Sequence, residues 1–521
     1  MRSLYLTTNA IEQAFKDNSS SLPWVPITDD SFRSFVDRLF RKYESLILNQ
    51  EDEIFDIVLT DYTFAIFIVQ YLHINAVRNV CIDARVEFIV DYHFESLLAP
   101  NWEELALWYV REIKGTNWPK EWLRSKYHTL QYNDLGVFKI LKESLGQSPI
   151  YSIGRKDWLK DEFISKYNID LIQQMEPQLL LCGLELPANS TINYRELIVE
   201  PLLSYLKETD EIFLRGADLN SISNAWVTRL RTVEAIYKAL REKKKPSRLL
   251  VTGGTNPFRK AMVLAYQREN VEVDVFHHGN DVGARILEHV HRAEVSHCKK
   301  FVCPTHQIAR NYGECYQFLP TEIRTQTEYS YVGTDYYKRL VNNAQSVPSV
   351  GHNRSRRFMI VGRPLNNLRL LDAYGAFYLH KIDLEYQLIN ALGKLTNQLM
   401  YKMHPEWSAV ARSLYSKCDC SLVDGNFEQM WQSADVFIFS SATTTTFEYS
   451  LCSNRPVVLF DAKGNKWQED LKSKLVHRCE IVEYDVDSYG KAILDQDEIE
   501  NAIVQATIKK LDRSFIESFM W

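Results

Sequence analysis

Two stretches in the second half of this 521-residue chain carry residue types that bind anions. Tyr401-Lys402-Met403-His404-Pro405-Glu406 closes an apolar run with an imidazole, and Ser440-Ser441-Ala442-Thr443-Thr444-Thr445-Thr446-Phe447-Glu448 follows another with a run of hydroxyls. A His just past a strand can donate to a phosphate oxygen or neutralise charge developing on a leaving group. Pro405 has no amide hydrogen, so it turns the chain away from a sheet and projects His404 outward. Ser440, Ser441, Thr443 and Thr444 stand where a helix should begin, and the free amides and dipole of a helix N-terminus stabilise an anion. Capping alone is the plainer reading of such a turn. Glu448 falls in the first turns of that helix, where it could accept from ribose hydroxyls or simply complement the dipole. Gly362-Arg363-Pro364 ends a further apolar run. Gly362 would let a ligand approach the backbone, and Arg363 could grip a phosphate or carboxylate bidentately, although an ordinary turn fits equally.

The first half offers His277-His278-Gly279-Asn280-Asp281 after the apolar run Val271–Phe276. A His at a strand end can serve as general base because its pKa lies near neutrality, and Asp281 could orient it or act itself as base or nucleophile. A solvated polar turn is the alternative. Arg215-Gly216-Ala217-Asp218 and Gly253-Gly254-Thr255-Asn256 are weaker candidates of the same kind. Neither the phosphate-loop nor the dinucleotide glycine fingerprint is present.

These residues need strands to deliver them. Apolar runs predict strands over Ile54–Thr60, Arg78–Asp83, Leu179–Leu184, Arg248–Thr252, Val271–Phe276, Lys300–Cys303 and Tyr329–Val332. Between them lie helical patterns, including one from Asn256-Pro257 to about Glu269 and one from Tyr194 to Thr209 with a break expected at Pro201. Trp102 to Leu145 is expected to be helical. The polar segment Asn342–Arg357 is the best domain boundary. A second unit restarts with strands at Arg357–Gly362, Gln398–Lys402, Asp435–Phe439 and Pro456–Phe460, and ends in a helical stretch from Asp497 to Phe519. The pattern predicts an α/β protein of two Rossmann-like domains facing across a cleft, residues 1–345 and 346–521, with the last helix able to pack back on the first domain. Asp485-Val486-Asp487 is placed in a polar tail and holds no metal.

Composition narrows the functions. The net charge is −6, and the sequence pI near 6.2 argues against a nucleic-acid partner. Lys243-Lys244-Lys245 fits a solvated helix end, with a weak membrane-surface contact as the minority reading. No leader is evident, and the most apolar stretch, Phe64–Tyr71, is far shorter than a membrane span. A cytoplasmic protein is expected, with peripheral contact at the inner face of the membrane left open. Nine scattered cysteines do not form a disulfide framework. His289, His291, His297, Cys298, Cys303 and His306 have the residue types of a zinc site but no Cys-x-x-Cys pair, so no metal is expected.

In this order, the elements resemble glycosyltransferases of the two-Rossmann GT-B architecture used in bacterial surface polysaccharide synthesis. The nearest likeness is to capsule and lipopolysaccharide enzymes that transfer Kdo or sialic acid from CMP-sugars. The teichoic-acid glycerophosphotransferases, which use CDP-glycerol, are similar. The motifs that carry the resemblance are His278-Gly279, Lys402-Met403-His404-Pro405, Ser440-Ser441 and Glu448, within roughly Leu249 to Asp461. It implies that His404 and the hydroxyl turn hold a nucleotide phosphate, that Glu448 holds the ribose, and that His277, His278 or Asp281 supplies acid–base or nucleophilic chemistry. It further implies a nucleotide-sugar donor, a glycan or glycolipid acceptor and no metal or other cofactor. The chain departs from the pattern where the Ser-Ser turn runs on as Ala442 to Thr446, and where no acidic sialyltransferase motif is found. A CDP-polyol phosphotransferase, a nucleotide-sugar epimerase and a non-catalytic carbohydrate-binding protein are the alternatives carried forward.

Overall fold

The computed structural model describes residues 3–6, 27–90, 97–132, 149–154, 157–169, 172–184, 190–277, 285, 288, 291–346, 356–365, 378–406, 408–488, 491–509 and 512–521. Two sheets organise them. The first holds β3 (Ile150–Ile153), β4 (Ile172–Gln174), β5 (Arg248–Thr252), β6 (Glu272–Phe276), β7 (Lys300–Cys303) and β8 (Glu328–Tyr331), in the order β4-β3-β5-β6-β7-β8 and parallel throughout. The second holds β9 (Phe358–Val361), β10 (Leu399–Lys402), β11 (Ser421–Val423), β12 (Val436–Phe439), β13 (Val457–Ala462), β14 (Glu480–Val486) and β15 (Ala492–Ile493). Its order is β11-β10-β9-β12-β13-β14-β15, parallel except for the last pair. A separate parallel pair joins β1 (Ser3–Leu6) to β2 (Glu87–Val90).

Both sheets are wound outward in two directions from a central strand. In the second, the first six strands follow the 3-2-1-4-5-6 order of a dinucleotide-binding fold, so the chain reverses direction between β9 and β12. In the first, the reversal lies between β3 and β5. The central strands are buried along their length, as parallel strands covered by helices on both faces must be. The protein is therefore an α/β protein with two Rossmann-like domains.

The early apolar runs are helical, not extended. Ile54–Thr60 lies in α2 (Asp52–Thr60), and Arg78–Asp83 ends α3 (Tyr62–Asp83), which follows α1 (Asp29–Leu48). A continuous apolar run fits a buried strand or an enclosed helix equally, and here helices surround it. α3 has the length and hydropathy of a membrane span, yet 67% of that window is buried inside the protein. Its polar groups are used there: Asn75 Nδ2 donates to the Arg215 carbonyl at 2.9 Å. The expected strand Leu179–Leu184 is instead a turn of helix at Pro177–Leu180, because Pro177 opens a helix and cannot pair in a sheet. The sheet's true first strands, β3 (Ile-Tyr-Ser-Ile) and β4 (Ile-Gln-Gln), carry too few consecutive apolar residues to stand out. Asp485 and Val486 belong to β14, not to a tail. The break expected at Pro201 is a π-turn at Arg195–Val199, one residue ahead of the helix Glu200–Thr209. Trp102 to Tyr132 is helical, including α4 (Trp108–Gly115) and α5 (Trp118–Tyr132).

A long helix, α6 (Leu219–Glu242), runs beside α2 and α7 (Pro257–Arg268) and ties the helical layer to the first sheet. Asp218 caps α6 by accepting from Ser221 N–H, which accounts for Arg215-Gly216-Ala217-Asp218 as a structural turn. One apolar core extends through both domains, with a small second core of Leu159, Phe163, Leu250, Phe276, Val302 and Val332 on the other face of the first sheet.

Three buried imidazoles load this fold against acid. Burial lowers the pKa of His73 to about 3 and lowers those of His291 and His297 as well. In the unfolded chain these rings take up protons below about pH 6.5, while the folded protein keeps them neutral, so acidification favours unfolding. The expected slope is up to about 1.4 kcal/mol per pH unit for each ring. Urea midpoints measured from pH 7 to pH 5 should fall steeply, and His297→Leu should flatten the fall. Equal slopes for both proteins would refute the assignment.

Candidate functional site

Register brings the sequence candidates of the second domain together. Val361 pairs with Lys402 on one side and with Phe439 on the other, so β10, β9 and β12 end level. The next residues along are Met403, Gly362 and Ser440, and beyond them His404, Arg363 and Ser441. Neighbouring strands lie about 4.8 Å apart, so the His404 and Ser441 backbones flank Arg363 at a span of about 10 Å. This edge is the carboxyl end of the sheet at its point of reversal, where open α/β sheets bind ligands.

A residue invisible to the sequence analysis organises the edge. Glu385, on α10 (Tyr378–Gly393), is fully buried beneath it. Its Oε1 accepts from Arg363 N–H at 2.8 Å and from Ser440 Oγ–H at 3.2 Å, while its Oε2 accepts from Tyr401 O–H at 2.6 Å. One carboxyl thus ties the ends of all three strands. Burial pushes its pKa up, against the pull of the Tyr401, Arg363 and Ser440 hydrogen bonds. The same tyrosine explains Gly362. A Cβ there would sit 2.4 Å from the Tyr401 hydroxyl, so the glycine serves the packing of Tyr401.

The candidates face different ways. Ser440 is turned inward to Glu385. Ser441 Oγ accepts from Thr443 N–H at 3.2 Å and shares a hydrogen bond with Thr443 Oγ1 at 2.8 Å, closing a tight hydroxyl turn. Thr444 is the N-cap of α11 (Thr445–Cys452), accepting from Phe447 N–H, and Thr446 O–H donates to it at 3.0 Å. His404 Nδ1 accepts from Glu406 N–H at 3.1 Å, which places the ring hydrogen of the neutral form on Nε2 as a donor. Lys402, half of the Lys-x-His-Pro motif, is buried, donates to the Met403 carbonyl and has a lowered pKa because of that burial. Glu448 is buried and accepts from Tyr337 O–H at 3.1 Å. Tyr337 belongs to α9 (Tyr336–Gln345), the helix that leaves the first sheet, so this bond joins the two halves of the molecule. Gln468 Nε2 adds a second such contact, donating at 2.8 Å to the Asn311 carbonyl on α8 (His306–Tyr316).

In the first domain, His277 continues β6 by donating its N–H to the Val302 carbonyl, and its ring is buried edge-on against Tyr312 at 5.2 Å. His278 and Asp281 lie outside the described residues. Of the cysteine and histidine cluster, His289 also lies outside them. His291 Nε2 meets Glu322 at 2.8 Å, Cys298 S–H donates to the Val295 carbonyl, and Cys303 lies in β7, so the described members have separate roles. Among the described residues no group of three or more His, Cys, Asp or Glu is drawn together as metal ligands. Gly253-Gly254 admits side chains at close range: a Cβ on Gly253 would meet Arg259 at 2.8 Å, and one on Gly254 would meet His297 at 3.0 Å.

Comparison with known proteins adds little. No family model and no curated protein matches the chain. Among solved structures, a UDP-N-acetylglucosamine 2-epimerase from Rickettsia bellii is similar over 72% of this chain and 93% of its own, at 12% identity and a TM-score of 0.36.

Proposed function

We propose that the second sheet binds a nucleotide-activated sugar and that the protein is a glycosyltransferase, moving the sugar from a CMP-sugar such as CMP-Kdo or CMP-sialic acid to a surface-polysaccharide acceptor. The observation that carries this reading is the level ending of β9, β10 and β12 at the point of reversal, with Arg363, His404 and the Ser441–Thr443 turn side by side. In this reading the nucleotide phosphate rests between His404 Nε2–H and the hydroxyl turn at the head of α11. Donors and the helix dipole take up the charge that develops as the sugar–phosphate bond breaks, so the step needs no metal. Glu385 and Ser440 position the strand ends, and Glu448 serves the ribose side while tied to Tyr337. His278 and Asp281 are the proposed acid–base groups on the acceptor side.

Thermal melting with CMP, CDP, UDP and GDP tests the nucleotide half. A ligand at about 100 times its Kd stabilises by about 2.7 kcal/mol, and CMP should give the largest shift. His404→Ala with Ser441→Ala should weaken CMP binding by tenfold or more, at about 1.4 kcal/mol per tenfold. Indifference to all four nucleotides would end the proposal. Release of CMP from a CMP-sugar only when a glycan acceptor is added tests the transfer half.

A further inference from the structure

A cavity of about 890 Å³ opens at the carboxyl end of the first sheet, apart from the second-sheet site. It lies where that sheet reverses: Gly154 follows β3, Gln174 ends β4, and Arg259 stands in the first turn of α7 after β5. Its far wall is α5. That helix is pinned to the sheet edge by Ser125 O–H, which donates to the Gln174 carbonyl, and by Thr129 Oγ1, which accepts from Gln174 N–H at 3.0 Å.

α5 meets the sheet through small hydroxyl side chains, Ser125 and Thr129, which are buried. An amphipathic helix normally turns its apolar stripe to the interior. Here Lys120, Glu121, Arg124, Ser125, His128 and Gln131, spaced along one helical face, line the cavity. Trp118, Trp122, Leu123 and Tyr127 on the rest of the helix are 43%, 41%, 62% and 57% exposed, and Arg124 at the cavity is open to solvent as well. The helix therefore leaves a polar, solvent-open space between its charged side and the sheet.

The lining sets the ligand class. Lys120, Arg124 and His128 follow one another at one-turn spacing and form a basic ridge. Among the described residues Lys120 has no ion-pair partner, and Arg124 has only Glu121, at 3.7 Å. The floor is different. Glu176 accepts from Gly154 N–H at 3.3 Å and meets the Arg259 guanidinium at 3.4 Å, and Gln174 Nε2 donates to the Gly154 carbonyl at 3.0 Å. Gln174 Oε1, an acceptor, and Arg259 Nε, a donor, are buried in this wall without a partner among the described residues. A hydroxyl both donates and accepts, so it complements that pair. Glu112 and Glu121 on the same lining oppose a polyanion.

We propose that this cavity binds an acidic saccharide: a polyhydroxyl ring with one anionic group, its anion on the Lys120–Arg124–His128 ridge and its hydroxyls on the Gln174–Glu176–Arg259 floor. The site stands whether or not the second sheet takes a nucleotide. If both hold, the saccharide is the acceptor end of the glycan.

Titration calorimetry on the full-length chain tests it with glucuronate, glucose 6-phosphate, glucose and inorganic phosphate, each to about 10 mM, a range that detects Kd values near 1 mM. Glucuronate or glucose 6-phosphate should bind, and which of them binds distinguishes carboxylate from phosphate. Glucose and phosphate should bind at least about tenfold more weakly, the worth of one charge-assisted hydrogen bond. Arg124→Ala and Lys120→Ala should each cut affinity for the acidic sugar about tenfold. Arg124→Ala should fold normally, since its side chain is 64% exposed. Absence of binding, equal binding of glucose or of bare phosphate, or indifference to both substitutions would overturn the proposal. CMP titrated into the same variants separates the two sites. An intact acidic-sugar response with no CMP response would remove the nucleotide reading and leave this one standing.

Discussion

Replacing Glu385 by leucine should lower the unfolding free energy by about 3 kcal/mol and abolish any stabilisation by nucleotide. The substitution strands three donors at once: Arg363 N–H, Tyr401 O–H and Ser440 O–H all end on this one fully buried carboxyl. Each unsatisfied buried donor costs about 1–3 kcal/mol, and because the three share one network their costs do not simply add. Glu385→Gln should stay within about 1 kcal/mol of the parent. Its carbonyl can still accept from Arg363 N–H, and its amide can donate to the Tyr401 oxygen. The glutamine also gives a pH signature. Because burial raises the Glu385 pKa, the folded protein holds this proton more tightly than the unfolded chain does. That contribution is complete below the ordinary glutamate pKa of about 4.3 and is lost as pH rises through the folded value. Parent stability should therefore fall relative to Glu385→Gln on going to neutral pH. Urea denaturation of the three proteins at several pH values decides the matter. A leucine variant with parental stability would mean that the carboxyl does not hold the strand ends.

The second large effect belongs to the helical layer. Arg229→Met should cost about 3–5 kcal/mol, because it leaves a buried carboxylate with most of its compensation gone. Asp61 is fully buried between α2 and α3. Arg229 grips it with Nε at 2.8 Å and Nη2 at 2.6 Å, and Tyr109 O–H donates to it at 2.8 Å. The guanidinium also donates to the Leu105 carbonyl and lies 4.6 Å from the Phe64 ring and 4.8 Å from that of Tyr109. One ion pair thereby joins α3, α4 and α6. The double variant Asp61→Leu/Arg229→Met should regain most of the loss, since a buried pair replaced by apolar side chains is often close to neutral. A single variant as stable as the double would show that the charges are not coupled. Because α4 leads into α5, the same measurement asks how firmly the wall of the first-domain cavity is held.

In the second domain β9, β10 and β12 were legible because they are short apolar runs closed by Gly, His-Pro or Ser, which mark strand ends in the primary structure, whereas β11, β14 and β15 were not expected. Phe358–Val361, Leu399–Lys402 and Val436–Phe439 fall within the expected runs, and Val457–Ala462 extends two residues past its own. The first domain was legible only from β5 onward. Before it, apolar runs at Asp52–Thr60 and Tyr62–Asp83 carry no period that separates an enclosed helix from a buried strand, and β3 and β4 carry too few consecutive apolar residues. Glu385 gave no signal at all. It is one acid in a helix, and only its burial under three strand ends sets it apart.

The primary structure by itself determined strands β5 to β10, β12 and β13, and the residues that follow β6, β9, β10 and β12, because turn-forming and apolar residues act locally. The tertiary structure alone decided which strand ends are neighbours. The β11-β10-β9-β12 order places His404, Arg363 and Ser441 side by side although 41 and 78 positions separate Arg363 from the other two. It likewise decided that α5 lines the first-domain cavity with Lys120, Arg124 and His128. Strand order and helix rotation depend on the simultaneous burial of segments far apart in the chain, and no local pattern encodes that.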